Sequence, residues 1–171
     1  MPTAADQDQF LKLLERHGGI VRKVASAYSR TSADRHDLMQ EIRLQLWRVY
    51  PQYSPARPFS TWMYRIALNV AISFLRGPGN PRRRSVSLEQ CGVDLIDDRA
   101  FAADSDERVT ALRRVIELFD PLNRAVLLLY LDDRSYREIA EILGLSETNV
   151  ATKLGRLKER IRRELSQSTG E

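Results

Sequence analysis

Cysteine is almost absent from this 171-residue chain: Cys91 stands alone, so no disulfide can form within it. Histidine is nearly as scarce, with only His17 and His36, too few imidazoles for a conventional zinc site. There is no glycine-rich phosphate loop and no nucleophile elbow, and no spacing pairs a carboxylate with a base or nucleophile. These gaps argue against an enzyme and against any metal or organic cofactor. No apolar run approaches the length of a membrane span. The start, Met-Pro-Thr-Ala-Ala-Asp-Gln-Asp, lacks the basic and apolar regions of a signal peptide, so the cytoplasm is the expected compartment. No segment reads as a strand. Cations and carboxylates are plentiful but nearly balanced: a net +4 is modest, and any nucleic-acid argument must rest on where the cations lie.

They lie near the C-terminus. Ser135–Leu143 has the apolar spacing of a short amphipathic helix, Gly144-Leu145-Ser146 is a turn, and a second helix runs from Glu147 to Leu165. Ser135 and Ser146 are N-caps, and Ser135 with Glu138 has capping-box spacing. Gly144 sits where a left-handed residue ends a helix. Ala140 is small enough to admit a neighbouring helix, and Ile139, Leu143, Leu145, Val150 and Leu154 form a shared seam. Lys153, Arg156, Lys158, Arg160, Arg162 and Arg163 crowd the second helix. A helical hairpin with a solvated charged face is the plain alternative. The caps, the turn glycine and the basic second helix together favour a helix-turn-helix that lays its second helix in the DNA major groove.

Upstream, Gln9–Tyr28 reads as helix, bent or divided at Gly18-Gly19. A second helix spans Asp34 to about Tyr50, with Leu38, Ile42, Leu46 and Val49 at helical spacing. The three prolines in Pro51–Pro58 force a loop. The third helix, Phe59–Arg76, has a wide apolar face of Phe59, Trp62, Met63, Ile66, Ala67, Val70 and Phe74, which assigns Trp62 to the core. Tyr64, Arg65, Leu68, Asn69 and Ile72 fall off that stripe. Beyond it come helix-breaking Gly77–Pro81, the basic knot Arg82-Arg83-Arg84, and the acid-rich stretch Glu89–Glu107. That composition and length read as a flexible linker between two domains. Helices resume with Val109, Leu112, Val115, Ile116 and Phe119 on one stripe, then Asp120-Pro121 as a cap and first turn. The expected fold is all-α: two small helical domains, 1–76 and 106–171, joined by the acidic linker 77–105.

Two separated stretches resemble one family. Asp37-Leu38-Met39-Gln40-Glu41-Ile42-Arg43-Leu44-Gln45-Leu46-Trp47 and Phe59–Ala71 look like region 2 of a bacterial extracytoplasmic-function (ECF) sigma factor of the sigma-70 family; Ser135–Gly144 with its basic helix looks like region 4. The resemblance implies a non-catalytic protein that joins core RNA polymerase and directs it to promoters. It implies docking on the clamp helices of the largest subunit through Asp37, Leu38, Gln40, Glu41 and Leu44, with the leucines as buried anchor, and a further contact at the flap region. For Gln40 and Glu41 a solvated helix face is the competing reading.

The same resemblance implies contact with the −10 element through Tyr64, Arg65, Asn69 and Arg76, Asn69 lying near the captured base and Tyr64 and the preceding loop walling it. Arg82–Arg84 would hold backbone phosphate. It implies −35 contact through Thr152, Lys153, Arg156 and Arg160, in a helix whose family contact positions also include Ala151 and Gly155. Promoter DNA and core polymerase are thus the expected partners, with an anti-sigma protein a further one that would cover both domains. The acidic linker either follows the path of nascent RNA or is a plain spacer.

Departures from the family pattern are Arg35-His36 before the docking helix, Arg43 where an aliphatic or aromatic residue is usual, and Gly155 in mid-helix. The first two point to a polymerase affinity that is weakened or that awaits a modification or a cofactor protein. The competing function is a helix-turn-helix regulator that recruits or blocks partners without initiating transcription.

Overall fold

A computed structural model of the chain describes residues 2–76 and 113–168, and all the described regular structure is helical. The chain divides into two compact units, Met1–Asp97 and Asp98–Glu171. The expected linker, the Arg82–Arg84 knot, and Val109 and Leu112 of the expected apolar stripe lie outside the described residues.

The first unit contains α1 (Ala4–Arg16), α2 (Gly18–Ala27), α3 (Ser32–Val49), a 3-10 turn (Tyr50–Gln52) and α4 (Phe59–Leu75). The start of α1, earlier than Gln9, has a local cause. The Thr3 hydroxyl accepts from the Asp6 N–H at 3.2 Å, and the Asp6 carboxylate accepts from the Thr3 N–H at 2.7 Å, a reciprocal capping box. These bonds hold the Asp6 carboxyl below its ordinary pKa. Of the two outcomes expected at Gly18-Gly19, a bend or a division, the chain takes the division: His17 leaves helical geometry at φ −111° and ψ 18°, immediately before the two glycines. Helix α3 starts at Ser32, two residues before the expected Asp34, because Thr31 caps it, its hydroxyl accepting from the Asp34 N–H at 3.0 Å.

Helices α2, α3 and α4 pack against one another, and α1 adds Phe10 and Leu14 to their core. Phe10 lies 5.1 Å from Trp47 and 5.0 Å from Tyr50, while the His17 ring lies 5.4 Å from Phe59. Helix α4 is rotated relative to the face read from its sequence. Tyr64, Leu68 and Ala71 are buried with Met63 and Ala67, whereas Trp62, Ile66, Val70 and Phe74 are only partly covered. A helix apolar nearly all round carries little information about its own phase. Here contact with both α2 and α3 decides it.

The second unit shows the end of α5 (residues 113–117), then α6 (Pro121–Leu131), α7 (Tyr136–Leu143) and α8 (Glu147–Ser168). The Asp120 carboxylate accepts from the Asn123 N–H at 3.4 Å ahead of Pro121, so α6 starts where its cap and proline dictate. Helices α6, α7 and α8 pack mutually around Val126, Leu129, Ile139, Val150 and Leu154.

Candidate nucleic-acid and partner interfaces

The turn between α7 and α8 is built by the residues its sequence singles out. The Ser135 hydroxyl accepts from the Glu138 N–H at 3.1 Å to open α7. Gly144 closes it at φ +69°, and the Ala140 carbonyl receives both the Gly144 N–H and the Leu145 N–H, the latter at 3.0 Å. That six-to-one bond is the Schellman stop. Ser146 then accepts from the Asn149 N–H at 3.1 Å, opening α8. Ile139, Val150 and Leu154 are buried in the seam, with Ala140 beneath them; Leu143 and Leu145 are half-buried at its edge.

With Val150, Leu154 and Leu157 turned inward, α8 exposes Thr148, Asn149, Thr152, Gly155, Arg156 and Arg163. Thr152 has its hydroxyl donated to the Thr148 carbonyl at 3.0 Å. Lys153 is half-buried on the flank, and Arg156 is exposed. Two cations of this helix are held against their own unit. The Lys158 ammonium lies 4.4 Å from the centre of the Tyr130 ring, and its hydrogen bond to the Tyr130 side chain raises its pKa. The Arg160 guanidinium sits 5.1 Å from the Phe119 ring, a cation–π distance that draws this expected −35 contact toward the domain itself.

On α4, Arg65, Asn69 and Arg76 are all exposed, and their spacing of four and seven puts them on one stripe. Trp62 opens that stripe. It is half-buried rather than a core residue, with Tyr53 at 5.2 Å and Phe59 at 5.2 Å. Tyr64 is the correction: at 0% exposure it is packed inside the bundle, so its ring cannot wall a pocket on the surface. The loop before α4 has the aromatic neighbours instead. The Tyr53 hydroxyl donates to the Arg57 carbonyl at 3.0 Å, the Arg57 N–H to the Ser54 carbonyl at 3.2 Å, and residues 54–58 are exposed between them. Tyr53 and Trp62 were not singled out as contacts, although the proline-bounded loop beside them was.

On α3, Asp37 is exposed and Gln40 and Glu41 are half-exposed. Gln40 Nε2 lies 2.8 Å from His36 Nε2, a pair formed one helical turn apart. Leu38 and Leu44, at 0% and 5% exposure, belong to the unit's own core and are not available as anchors for a partner. Arg43, the departure from the family pattern within this helix, is buried as well. It is 4% exposed and borders a cleft with Leu11, Leu14, Glu15, Gly18, Gly19 and Arg22. Among the described residues no group of His, Cys, Asp and Glu could hold a metal ion, and no helix is long and apolar enough to cross a membrane.

This arrangement has relatives. The family described as Sigma-70 region 2 matches residues 13–79, and Sigma-70, region 4 matches residues 110–161. The ECF RNA polymerase sigma-E factor of Escherichia coli strain K12 is 32% identical over 173 aligned positions, covering 91% of this chain and 86% of that protein. Two solved structures share the fold with a TM-score of 0.67. CnrH, in complex with the cytosolic domain of CnrY, is 22% identical over 94% of this chain and 90% of its own. The sigma factor RpoE of Bartonella quintana, in complex with the anti-sigma factor NepR, is 18% identical over 96% and 98%.

A region 2 bundle followed by a region 4 helix-turn-helix defines a sigma factor, a protein of transcription initiation. With the identity to sigma-E across nearly its whole length, the chain belongs to the ECF group of the sigma-70 family.

Proposed function

We propose that this sigma factor acts in the cytoplasm, without catalysis of its own, by holding core RNA polymerase through the exposed side of α3 while α4 and α8 read the −10 and −35 elements. The observation that carries the reading is the exposed Arg65–Asn69–Arg76 stripe on α4, headed by the half-buried Trp62 beside an exposed loop. Two cations suit backbone phosphate, and an amide suits a base edge. An indole or phenol face suits an unstacked base, returning about 1–3 kcal/mol per base against an opening cost of a few. Trp62 and Tyr53 therefore take the role first given to Tyr64.

On α3 the contact reduces to Asp37, Gln40 and Glu41. Polar groups at the edge of a contact set orientation and partner choice, while Leu38 and Leu44 keep the helix in place. On α8, Thr152 and Arg156 are exposed and free of the ring contact that holds Arg160 to Phe119, with Lys153 half-buried on their flank. Because the similar folds of CnrH and the Bartonella RpoE were solved in complexes, RpoE's with an anti-sigma factor, an anti-sigma protein is a fitting regulator here as well.

Reconstitution tests the reading. The purified chain is added to core polymerase and transcript starts are mapped on genomic DNA. Discrete starts sharing two upstream elements are expected, and Glu41→Lys should abolish them while leaving the circular dichroism unchanged. Absence of both core binding and specific starts would reject the proposal.

A further inference from the structure

Helix α8 presents a second polar side chain at the end where recognition helices meet base edges, and the sequence reading passed over it. Asn149 is the third residue of α8 and is exposed. Its backbone N–H is taken by the Ser146 cap at 3.1 Å, so the residue's main chain is fixed. Its side-chain amide makes no hydrogen bond to the described residues. Arg156, seven positions on, is exposed on the same stripe and has no ion pair among the described residues. Between them lies Thr152, whose proton is already donated to the Thr148 carbonyl at 3.0 Å. It is left to offer a methyl group and an acceptor.

We infer that Asn149 is a specificity-determining residue that reads an adenine, with Arg156 reading a guanine and Thr152 packing its methyl group between them. The inference rests on α8 being the −35 reader and adds what it reads. At about 1.5 Å of rise per residue, Asn149 and Arg156 are separated by roughly 10 Å along the helix. At about 3.4 Å per base that is some three steps, so one short run of base pairs spans all three side chains. An amide carries one donor and one acceptor in the spacing of adenine N6 and N7. A guanidinium carries the paired donors that guanine O6 and N7 require. A threonine whose proton is engaged cannot donate to a purine N7, and its methyl group matches that of thymine.

The test uses holoenzyme made from the full chain and core polymerase, selecting bound duplexes from a library randomised over the upstream element. The wild-type profile should show one position preferring adenine. Asn149→Ala keeps the backbone N–H that the cap uses. It should flatten that position alone, lowering affinity for the adenine-bearing site by about 5- to 150-fold, the range that one bidentate pair discriminates. Asn149→Asp, an acceptor without a donor, should turn the same position toward cytosine. A uniform loss of affinity across all positions, or an unchanged profile in both variants, would overturn the inference. Failure of the underlying reading looks different, because wild-type holoenzyme would then show no positional preference anywhere in the element, and the inference would fall with it.

Discussion

Gly155 stands in the middle of α8 on its exposed side, and a Cβ built there meets nothing within 4 Å. The protein itself therefore gives no steric reason for glycine, while the helix has a clear reason to prefer alanine. In a helix interior glycine is less favourable than alanine by about 0.8–1.0 kcal/mol, from backbone entropy alone. No strained φ offsets this, since Gly144 is the glycine of the described chain with positive φ. Gly155→Ala should thus stabilise the second unit by about 1 kcal/mol, which is roughly fivefold in its opening equilibrium.

Hydrogen exchange of the α6–α8 amides in the full chain measures this directly, under conditions where exchange follows cooperative opening. Promoter binding by holoenzyme should move the other way. Gly155 shares an exposed stripe with Thr148 and Thr152 on the face proposed to enter the groove, and the added methyl group keeps the duplex from the backbone. Protection that stays level or falls would refute the claim that only the DNA has a use for a bare Cα at this position. A stabilised variant with undiminished −35 affinity would refute the groove contact there.

On α3, Leu38→Ala should destabilise the first unit by about 2–5 kcal/mol in a denaturant titration, since the side chain is wholly enclosed. Asp37→Ala, at an exposed position, should leave the midpoint within about 0.5 kcal/mol and be felt only in polymerase affinity. Trp62→Ala should impair promoter melting, read by permanganate reactivity of unpaired thymines, more than it impairs closed-complex formation. Equal effects on both steps would count against stacking. Tyr50 has its phenol pKa raised above the ordinary value of about 10, first by burial and then by the Asp6 charge. The folded state holds the proton more tightly, so this contribution is complete below the unfolded pKa and is lost as pH rises through the folded one. Alkaline melts should show a loss that sets in near the ordinary phenol value of about 10 and that Tyr50→Phe reduces.

The legible parts of the fold are those written in short-range chemistry. Ser135, Gly144, Ser146 and Asp120-Pro121 each act on backbone groups within a few residues, and helix boundaries follow from them. What escaped depends on partners distant in sequence. The phase of α4 is decided by two neighbouring helices, so Tyr64 and Trp62 exchanged environments. Arg43 carries a charge that suggests a surface, yet its stem and head fit a cleft lined by α1 and α2. Leu38 and Leu44 lie within a motif associated with docking, where core and contact positions alternate too closely for spacing to separate them. The start of α1 lay within reach, since Thr3 and Asp6 have capping spacing, but the helix they open begins with polar residues that lack apolar rhythm.

The aromatic cluster at one end of the first unit has a practical outcome. Both of the chain's tryptophans, Trp47 and Trp62, belong to it, each within about 7 Å of the Tyr50 ring at 6.4 Å and 6.4 Å. The second unit emits only through tyrosine. Excitation at the red edge of the absorption band therefore addresses one half of the molecule and leaves the other dark. In the free chain and in its complexes with DNA, which contains no tryptophan, a native, label-free signal can follow the first half alone.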